Sequence, residues 1–76
     1  EWHSAKGRAD CVVETDEYIY IFEFKRDGSA DEALDQIETQ GYALPYAADK
    51  RKLYKIGVVF DSESRTLSEW KAVESN

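Results

Sequence analysis

Apolar and polar residues alternate in the first third of the chain, in a pattern that predicts a β-hairpin. Segments 10–15 and 18–25 are rich in β-branched and aromatic residues, which favour strands. Only Asp16 and Glu17 separate the two segments. This spacing suits a two-residue turn, although the pair is not the Asn-Gly or Asp-Gly that favours such turns most strongly. We therefore expect two antiparallel strands here.

After residue 28, apolar residues recur at the spacing of a helix instead of alternating with polar ones. Ser29 and Glu32 form the sequence signature of a capping box, in which each side chain accepts a hydrogen bond from a free amide of the first turn. Apolar residues then recur at the spacing of one helix face: Ala30, Ala33, Leu34 and Ile37. Gly41 weakens a helix and Pro45 would remove a backbone hydrogen bond from it. We therefore expect a break near Gly41 and a second short helix over 42–49.

Two further strands are predicted in the last third of the chain. Segment 53–61 contains the apolar run 56–60, which is typical of a buried strand, and segment 66–73 alternates like an edge strand. The helix that joins the second and third strands should make them parallel, with a right-handed crossover. The pattern thus predicts an α/β fold of the mixed α+β kind, ββαββ, with a four-stranded sheet and a helix packed on one face.

Composition narrows the class of protein. The 76 residues, 42% of them hydrophobic, suffice for one small core, so we expect a single domain over 1–76. The net charge of −6 argues against a broad, sequence-independent attraction to polyphosphates. Cys11 is the only cysteine, which excludes an internal disulfide and favours a reducing cytoplasm. The sequence has no apolar run of 18 residues, so we expect no membrane span.

The hairpin register brings two carboxylates together. With a two-residue turn, the positions of cross-strand partners sum to 33, so Asp10 faces Glu23. Lys25 projects from the same face as Glu23, because side chains alternate along a strand. Like charges in directly opposed positions destabilise a sheet by about 0.2–1 kcal/mol, so a compensating cation is needed. The candidates are Lys25 and a bound metal ion.

A divalent metal suits this pair of acids. Mg²⁺ binds through one or two carboxylates together with water and phosphate oxygens, and the backbone carbonyl of Phe24 is a further candidate ligand. A lysine two residues beyond a ligand can orient or deprotonate the attacking water, as in metal-assisted hydrolysis of phosphodiesters. The alternative is a surface ion pair of little energetic value, and a three-residue turn would remove the opposition of charges.

These residues resemble a known group of nucleases. Gly7-Arg8-Ala9-Asp10, a strand, Glu23-Phe24-Lys25 and a helix carrying Gln36 resemble the PD-(D/E)xK nuclease superfamily. More narrowly, the chain is similar to the nuclease-like domain at the C-terminus of bacterial proteins with an AAA-ATPase-like N-terminal region. The similar segments lie between residues 7 and 70: Gly7–Asp10, Tyr20–Lys25, Ala33–Ala43 and Lys55–Phe60.

The resemblance implies a restriction-endonuclease-like fold and a role for each residue of the site. Asp10 and Glu23 would be ligands of Mg²⁺ or Mn²⁺, and Lys25 the catalytic lysine. Gln36 falls where related nucleases carry a helical glutamine near the site, and its alternative is a solvated residue at the flank of the helix. The implied function is hydrolysis of phosphodiester bonds in DNA, by a cytoplasmic domain that follows an ATPase-like domain in a longer protein.

Basic residues near the acidic pair are candidate contacts for nucleic acid. Arg8 lies across from Lys25 in the expected register, and Arg26 follows Lys25 directly. Together with the basic run 50–52, these arginines would form a basic edge beside the site. The alternative is a set of scattered, solvated charges in an acidic protein.

The chain departs from the superfamily in one respect. Members generally have a helix before the first core strand, often with another acidic residue, whereas only six residues precede Gly7 here. We therefore expect a truncated N-terminus and a sheet face left uncovered, on which two copies would associate. This departure keeps open a second function, a catalytically inactive scaffold for oligomerisation or partner docking.

Overall fold

The strands form one mixed sheet in the order β1-β2-β3-β4-β5, with a helix between the third and fourth strands. The structure is a computed structural model that describes residues 2–3 and 10–75. Its elements are β1 (Trp2–His3), β2 (Cys11–Glu14), β3 (Tyr18–Arg26), α1 (Ala30–Thr39), a short 3₁₀ helix (Leu44–Tyr46), β4 (Lys52–Asp61) and β5 (Thr66–Glu74). None of the described helices is long and apolar enough to cross a membrane.

The hairpin of β2 and β3 has the predicted register. Val12 is paired with Ile21, and Glu14 with Ile19, so the two-residue turn is confirmed. The turn is closed by Thr15, whose amide donates to the carbonyl of Tyr18 at 2.8 Å. The Thr15 hydroxyl oxygen accepts the Tyr18 amide at 2.9 Å. This side-chain contact stabilises a turn that lacks glycine.

The remaining strand pairings follow the predicted topology. β3 and β4 are parallel, and β5 is an antiparallel edge strand beside β4. The sheet has five strands where the sequence predicts four, because β1 adds a two-residue strand antiparallel to β2. Two residues are too few to show an alternating pattern, so this strand could not be recognised from the sequence.

Helix α1 begins and ends where its flanking residues predict. Both hydrogen bonds of the capping box at Ser29 are present, and the helix ends at Thr39, two residues before Gly41 with φ +67°. The second helix is shorter than expected over 42–49, since only the 3₁₀ turn around Pro45 forms. Proline fits the first turn of such a helix but cannot lie inside a longer one.

The helix covers one face of the sheet and encloses the core. The fully buried side chains on this face include Ile19 and Ile21 of β3, Ile37 of α1 and Val59 of β4. At Gly57 the helix comes so close that a Cβ atom would lie 2.6 Å from the carbonyl oxygen of Ala30. Glycine therefore permits a close approach of α1 to the middle of the sheet.

The opposite face of the sheet carries aromatic residues. Tyr18, Tyr20 and Tyr54 form a stack with ring centroids 5.7–6.2 Å apart. Phe24 is 52% exposed and Trp70 is 67% exposed. Within the part of the chain that the structure describes, no helix packs on this face.

Candidate metal and nuclease site

Glu23 and Lys25 lie at the end of β3, on the face that packs against α1. Their side chains continue the row of Ile19 and Ile21, since alternate residues of a strand share a face. Glu23 is aligned with Gly57 of the neighbouring β4. The close approach of α1 at Gly57 therefore lies at the strand position aligned with Glu23.

Asp10 is held beside Glu23 by a backbone hydrogen bond. The ladder between β2 and β3 ends at the pair formed by Cys11 and Phe22. The amide of Phe24 donates to Oδ2 of Asp10 at 2.8 Å, so the Asp10 carboxylate lies at the end of the described ladder. The carbonyl of Phe24 points to the same side as its amide, since one residue of an extended strand directs both groups to the same neighbour.

The Glu23 carboxylate is in an unfavourable environment. Its Oε1 is buried and has no hydrogen-bond partner among the described residues. Burial and the negative charge of Asp10 raise the pKa of Glu23 to about 7, against a smaller opposing effect of the Lys25 ammonium. A buried carboxylate oxygen that has no partner and lies beside a second acid is unfavourable in its charged form. Binding of a proton or of a cation would neutralise this charge.

The two acids fit a hard divalent cation. The described residues contain no cluster of three or more metal-ligating His, Cys, Asp or Glu side chains. Two carboxylates are nevertheless sufficient for Mg²⁺, which keeps several water ligands and accepts backbone carbonyl oxygens. Asp10, Glu23 and the Phe24 carbonyl supply a donor set of this kind, and the orphaned Oε1 of Glu23 is the observation that supports it.

Lys25 and Gln36 line one open cavity of about 280 Å³ along the exposed side of α1. The other lining residues come from the same helix and its end: Glu32, Asp35, Thr39 and Gln40. The structure therefore brings the helical glutamine near the lysine. Gln36 is nonetheless exposed, which agrees with the alternative of a solvated residue at the helix flank.

The expected basic edge does not form in one place. Arg26 is exposed at the end of β3, next to Lys25, whereas Arg8 lies outside the described residues. Lys52 is aligned with Tyr18, at the opposite end of β3, so the part of the prediction that joined the run 50–52 to the site is wrong. Strands that run in parallel bring their first residues together, and Lys52 begins β4.

Arg51 has a structural role at that opposite end. Its guanidinium contacts the carboxylates of Glu14 and Asp49, each at 2.8 Å. These contacts raise the pKa of Arg51 and lower the pKa of Asp49 to about 2, through hydrogen bonds to the paired group. The network connects the hairpin to the segment before β4.

Two glycines near the site were not identified by the sequence analysis. Gly57 admits the helix beside Glu23, and Gly28 lies between Lys25 and Glu32. An isolated glycine within a strand pattern often marks a close backbone approach, so Gly57 carried a usable signal. The role of Gly28 depends on the path of the Lys25 side chain, which the spacing of residues in the sequence does not show.

Comparisons with known proteins identify the family. A model of the PD-(D/E)XK nuclease superfamily matches residues 1–70. An uncharacterized protein in the vnfD 5′ region of Azotobacter chroococcum mcd 1 is 35% identical over 66 residues, which cover 84% of this chain. The chain spans only 13% of the length of that relative, and no solved structure matches it. The mixed sheet with its helix is consistent with this assignment, and the chain belongs to the PD-(D/E)XK nuclease superfamily.

Proposed function

We propose that this chain is a metal-dependent nuclease domain that hydrolyses phosphodiester bonds in DNA. The observation that carries the proposal is the pairing of Asp10 with Glu23, whose buried Oε1 has no hydrogen-bond partner among the described residues. A protein gains nothing in stability from two opposed acids, one of them desolvated. A bound divalent cation would satisfy both.

Asp10 and Glu23 would hold Mg²⁺ or Mn²⁺, with the carbonyl of Phe24 as a further ligand. Such a metal activates water and neutralises the charge that develops on the phosphate during cleavage. The hydrogen bond from the Phe24 amide orients the Asp10 carboxylate, and the burial of Oε1 keeps part of the Glu23 carboxylate away from water.

Lys25 and Gln36 would act on the water and the phosphate. Lys25 lies two residues beyond Glu23 on the same face, its ammonium opposes the rise in the pKa of Glu23, and Lys25 also lines the open cavity. An ammonium in this position can orient the attacking water or stabilise negative charge on the phosphate. The Gln36 amide, on the wall of the same cavity, is suited to hydrogen-bond one of these groups.

Nucleic acid is the substrate class that the superfamily favours. Arg26 is exposed at the end of β3, on the opposite face from Lys25, and would contact a backbone phosphate from that side, and Arg8 is proposed for the same role. The long relative is consistent with a domain that functions within a larger protein, and we propose an ATPase-like region as its neighbour. With a net charge of −6, this domain would depend on such local contacts.

Thermal denaturation with and without metal tests the site directly. We expect Mg²⁺ or Mn²⁺ to raise the melting temperature, since a ligand at 100 times its Kd stabilises the folded state by about 2.7 kcal/mol. Asp10→Asn should abolish this shift. Asp16→Asn is the matched control, because Asp16 is an exposed acid in the hairpin turn, and it should keep the shift. An unchanged melting temperature in the wild type would refute the metal site.

Cleavage assays separate the role of Lys25 from metal binding. Lys25→Ala should abolish cleavage of DNA in Mn²⁺ while leaving the metal-induced shift in melting temperature, because the ammonium is not a metal ligand. Lys50→Ala removes an equal charge from an exposed position away from the site and should cleave like the wild type. Loss of the metal shift in Lys25→Ala would contradict the separate role of Lys25.

The exposed aromatic face favours one alternative, a catalytically inactive scaffold that associates through that face. Phe24 and Trp70 are more than half exposed, and large exposed apolar patches commonly mark protein interfaces. Sedimentation of the wild type and of Trp70→Lys distinguishes this function. A concentration-dependent dimer that Trp70→Lys dissociates, together with no response to divalent ions, would favour the scaffold.

A further inference from the structure

The corner between β3 and α1 is fixed in an unusual backbone conformation. Asp27 and Gly28 are both in the left-handed region, with φ +60° and +94°. The Asp27 amide donates to the carbonyl of Phe60 at 2.8 Å. Its carboxylate accepts hydrogen bonds from the amide and hydroxyl of Ser62, at 3.0 and 2.7 Å. The corner is therefore attached to the end of β4 and to the turn beyond it.

The side chain of Lys25 passes directly over this corner. A Cβ atom on Gly28 would lie 2.8 Å from Cε and 3.5 Å from Cδ of Lys25. Real Cβ atoms do not approach other heavy atoms as closely as 2.8 Å, so the outer part of the lysine stem occupies the space that any side chain at position 28 would take. Lys25 also lines the cavity that it shares with Gln36.

Glu32 bounds this space on the other side. Its Oε1 would lie 2.7 Å from the same Cβ atom of Gly28, so the glutamate oxygen and the end of the lysine stem are neighbours. The carboxylate is held in place because Oε1 accepts the Ser29 amide at 2.8 Å. The Glu32 amide in turn donates to the Ser29 hydroxyl at 3.1 Å. The capping box thus supplies a fixed, negatively charged wall beside Lys25.

We propose that Gly28 is a positioning residue for Lys25, because the missing side chain leaves the space in which the lysine stem lies. This inference rests on the proposed role of Lys25 in cleavage. A methyl group at position 28 would force the stem away from the corner, since Glu32 is fixed by the capping box. Misplacement of a reacting group by about 1 Å can lower a rate on the order of 100-fold.

Gly28→Ala, compared with Gly41→Ala, tests the proposal. Gly41 also has a positive φ, +67°, and its Cβ atom would lie 2.8 Å from Cδ1 of Leu44, the end of another flexible side chain. Gly41→Ala therefore also places a Cβ atom at a positive φ and against the end of a side chain, but Gly41 follows the far end of α1. The measurements are kcat and KM for cleavage of DNA in Mn²⁺, the metal-induced shift in melting temperature, and the NMR resonances of the Lys25 ε-methylene.

We expect Gly28→Ala to move the Lys25 ε-methylene resonances and to lower kcat by about 10- to 100-fold. KM and the metal-induced shift should be unchanged, and Gly41→Ala should change neither the resonances nor kcat. Unaltered Lys25 resonances in Gly28→Ala, or a loss of kcat equal to that in Gly41→Ala, would overturn the proposal.

Two further outcomes are distinguished by the same experiment. A wild-type protein without cleavage refutes the proposed function, and the NMR comparison then decides alone whether Gly28 positions Lys25. If Gly28→Ala does not fold, Gly28→Asn replaces it, because asparagine adopts a left-handed backbone at lower cost and still introduces a Cβ atom. Wild-type Lys25 resonances in Gly28→Asn would refute the positioning role.

Discussion

The ionisation of Glu23 should make the metal-free protein less stable as pH rises. Burial and the charge of Asp10 raise the pKa of Glu23 from 4.5 to about 7, so the folded protein binds this proton more tightly than the unfolded chain. A raised carboxyl pKa contributes stability that is fully present below pH 4.5 and is lost as the pH increases through 7. Glu23→Gln, which keeps the shape but cannot ionise, should remove this loss.

The magnitude follows from the size of the pKa change. Each pKa unit corresponds to about 1.4 kcal/mol, which sets an upper bound of about 3.4 kcal/mol for a carboxyl whose pKa rises from 4.5 to about 7. Glu23 is only partly buried, so solvent screens its interactions, and we expect about 1–2 kcal/mol. In a domain of this size, that is a difference in melting temperature of about 4–16 °C.

The assay is thermal denaturation in EDTA between pH 5 and pH 8, followed by circular dichroism. We expect the melting temperature of the wild type to fall across this interval relative to that of Glu23→Gln. The comparison cancels the titration of the groups that the two proteins share, and Asp49, with its pKa of about 2, titrates well below the interval. Parallel curves for the two proteins would refute the environment that the structure gives to Glu23.

Three further substitutions test the packing and the helix cap. Gly57→Ala should destabilise the fold by about 1–3 kcal/mol in urea denaturation, because its Cβ atom would lie 2.6 Å from the Ala30 carbonyl oxygen. Ser29→Ala should cost about 1 kcal/mol by the same measurement, through loss of the capping box. Arg51→Ala should lower the melting temperature more than Lys50→Ala, and the difference should shrink at high salt, because Arg51 contacts two carboxylates.

The hairpin and the helix could be predicted because local rules determine them. Two residues between strands set the register, and side-chain alternation then brings Asp10, Glu23 and Lys25 to one end of the hairpin. The capping box at Ser29 and the left-handed Gly41 likewise set the limits of α1 within the chain itself. These parts of the site could be predicted without knowledge of the remaining fold.

The parts that could not be predicted depend on contacts between distant segments. The Lys25 stem lies in the space left by the missing side chain of Gly28, and the spacing of residues in the sequence does not show this path. The wrong prediction that Lys52 lies beside the site has a different cause. A parallel pairing of β3 and β4 was already expected, and it places the first residue of β4 beside the first residue of β3, far from Lys25.

The same close approach of helix and sheet serves both the core and the site. Gly57 permits the close approach of α1, whose Ile37 is fully buried, and Gly57 is also aligned with Glu23, whose charged form is disfavoured by burial and by Asp10. Glu23→Gln should therefore be more stable than the wild type at pH 8 without metal, yet should gain nothing from Mg²⁺. If Glu23→Gln were instead less stable under these conditions, the carboxylate would be contributing to the fold, and the argument that it awaits a cation would fail.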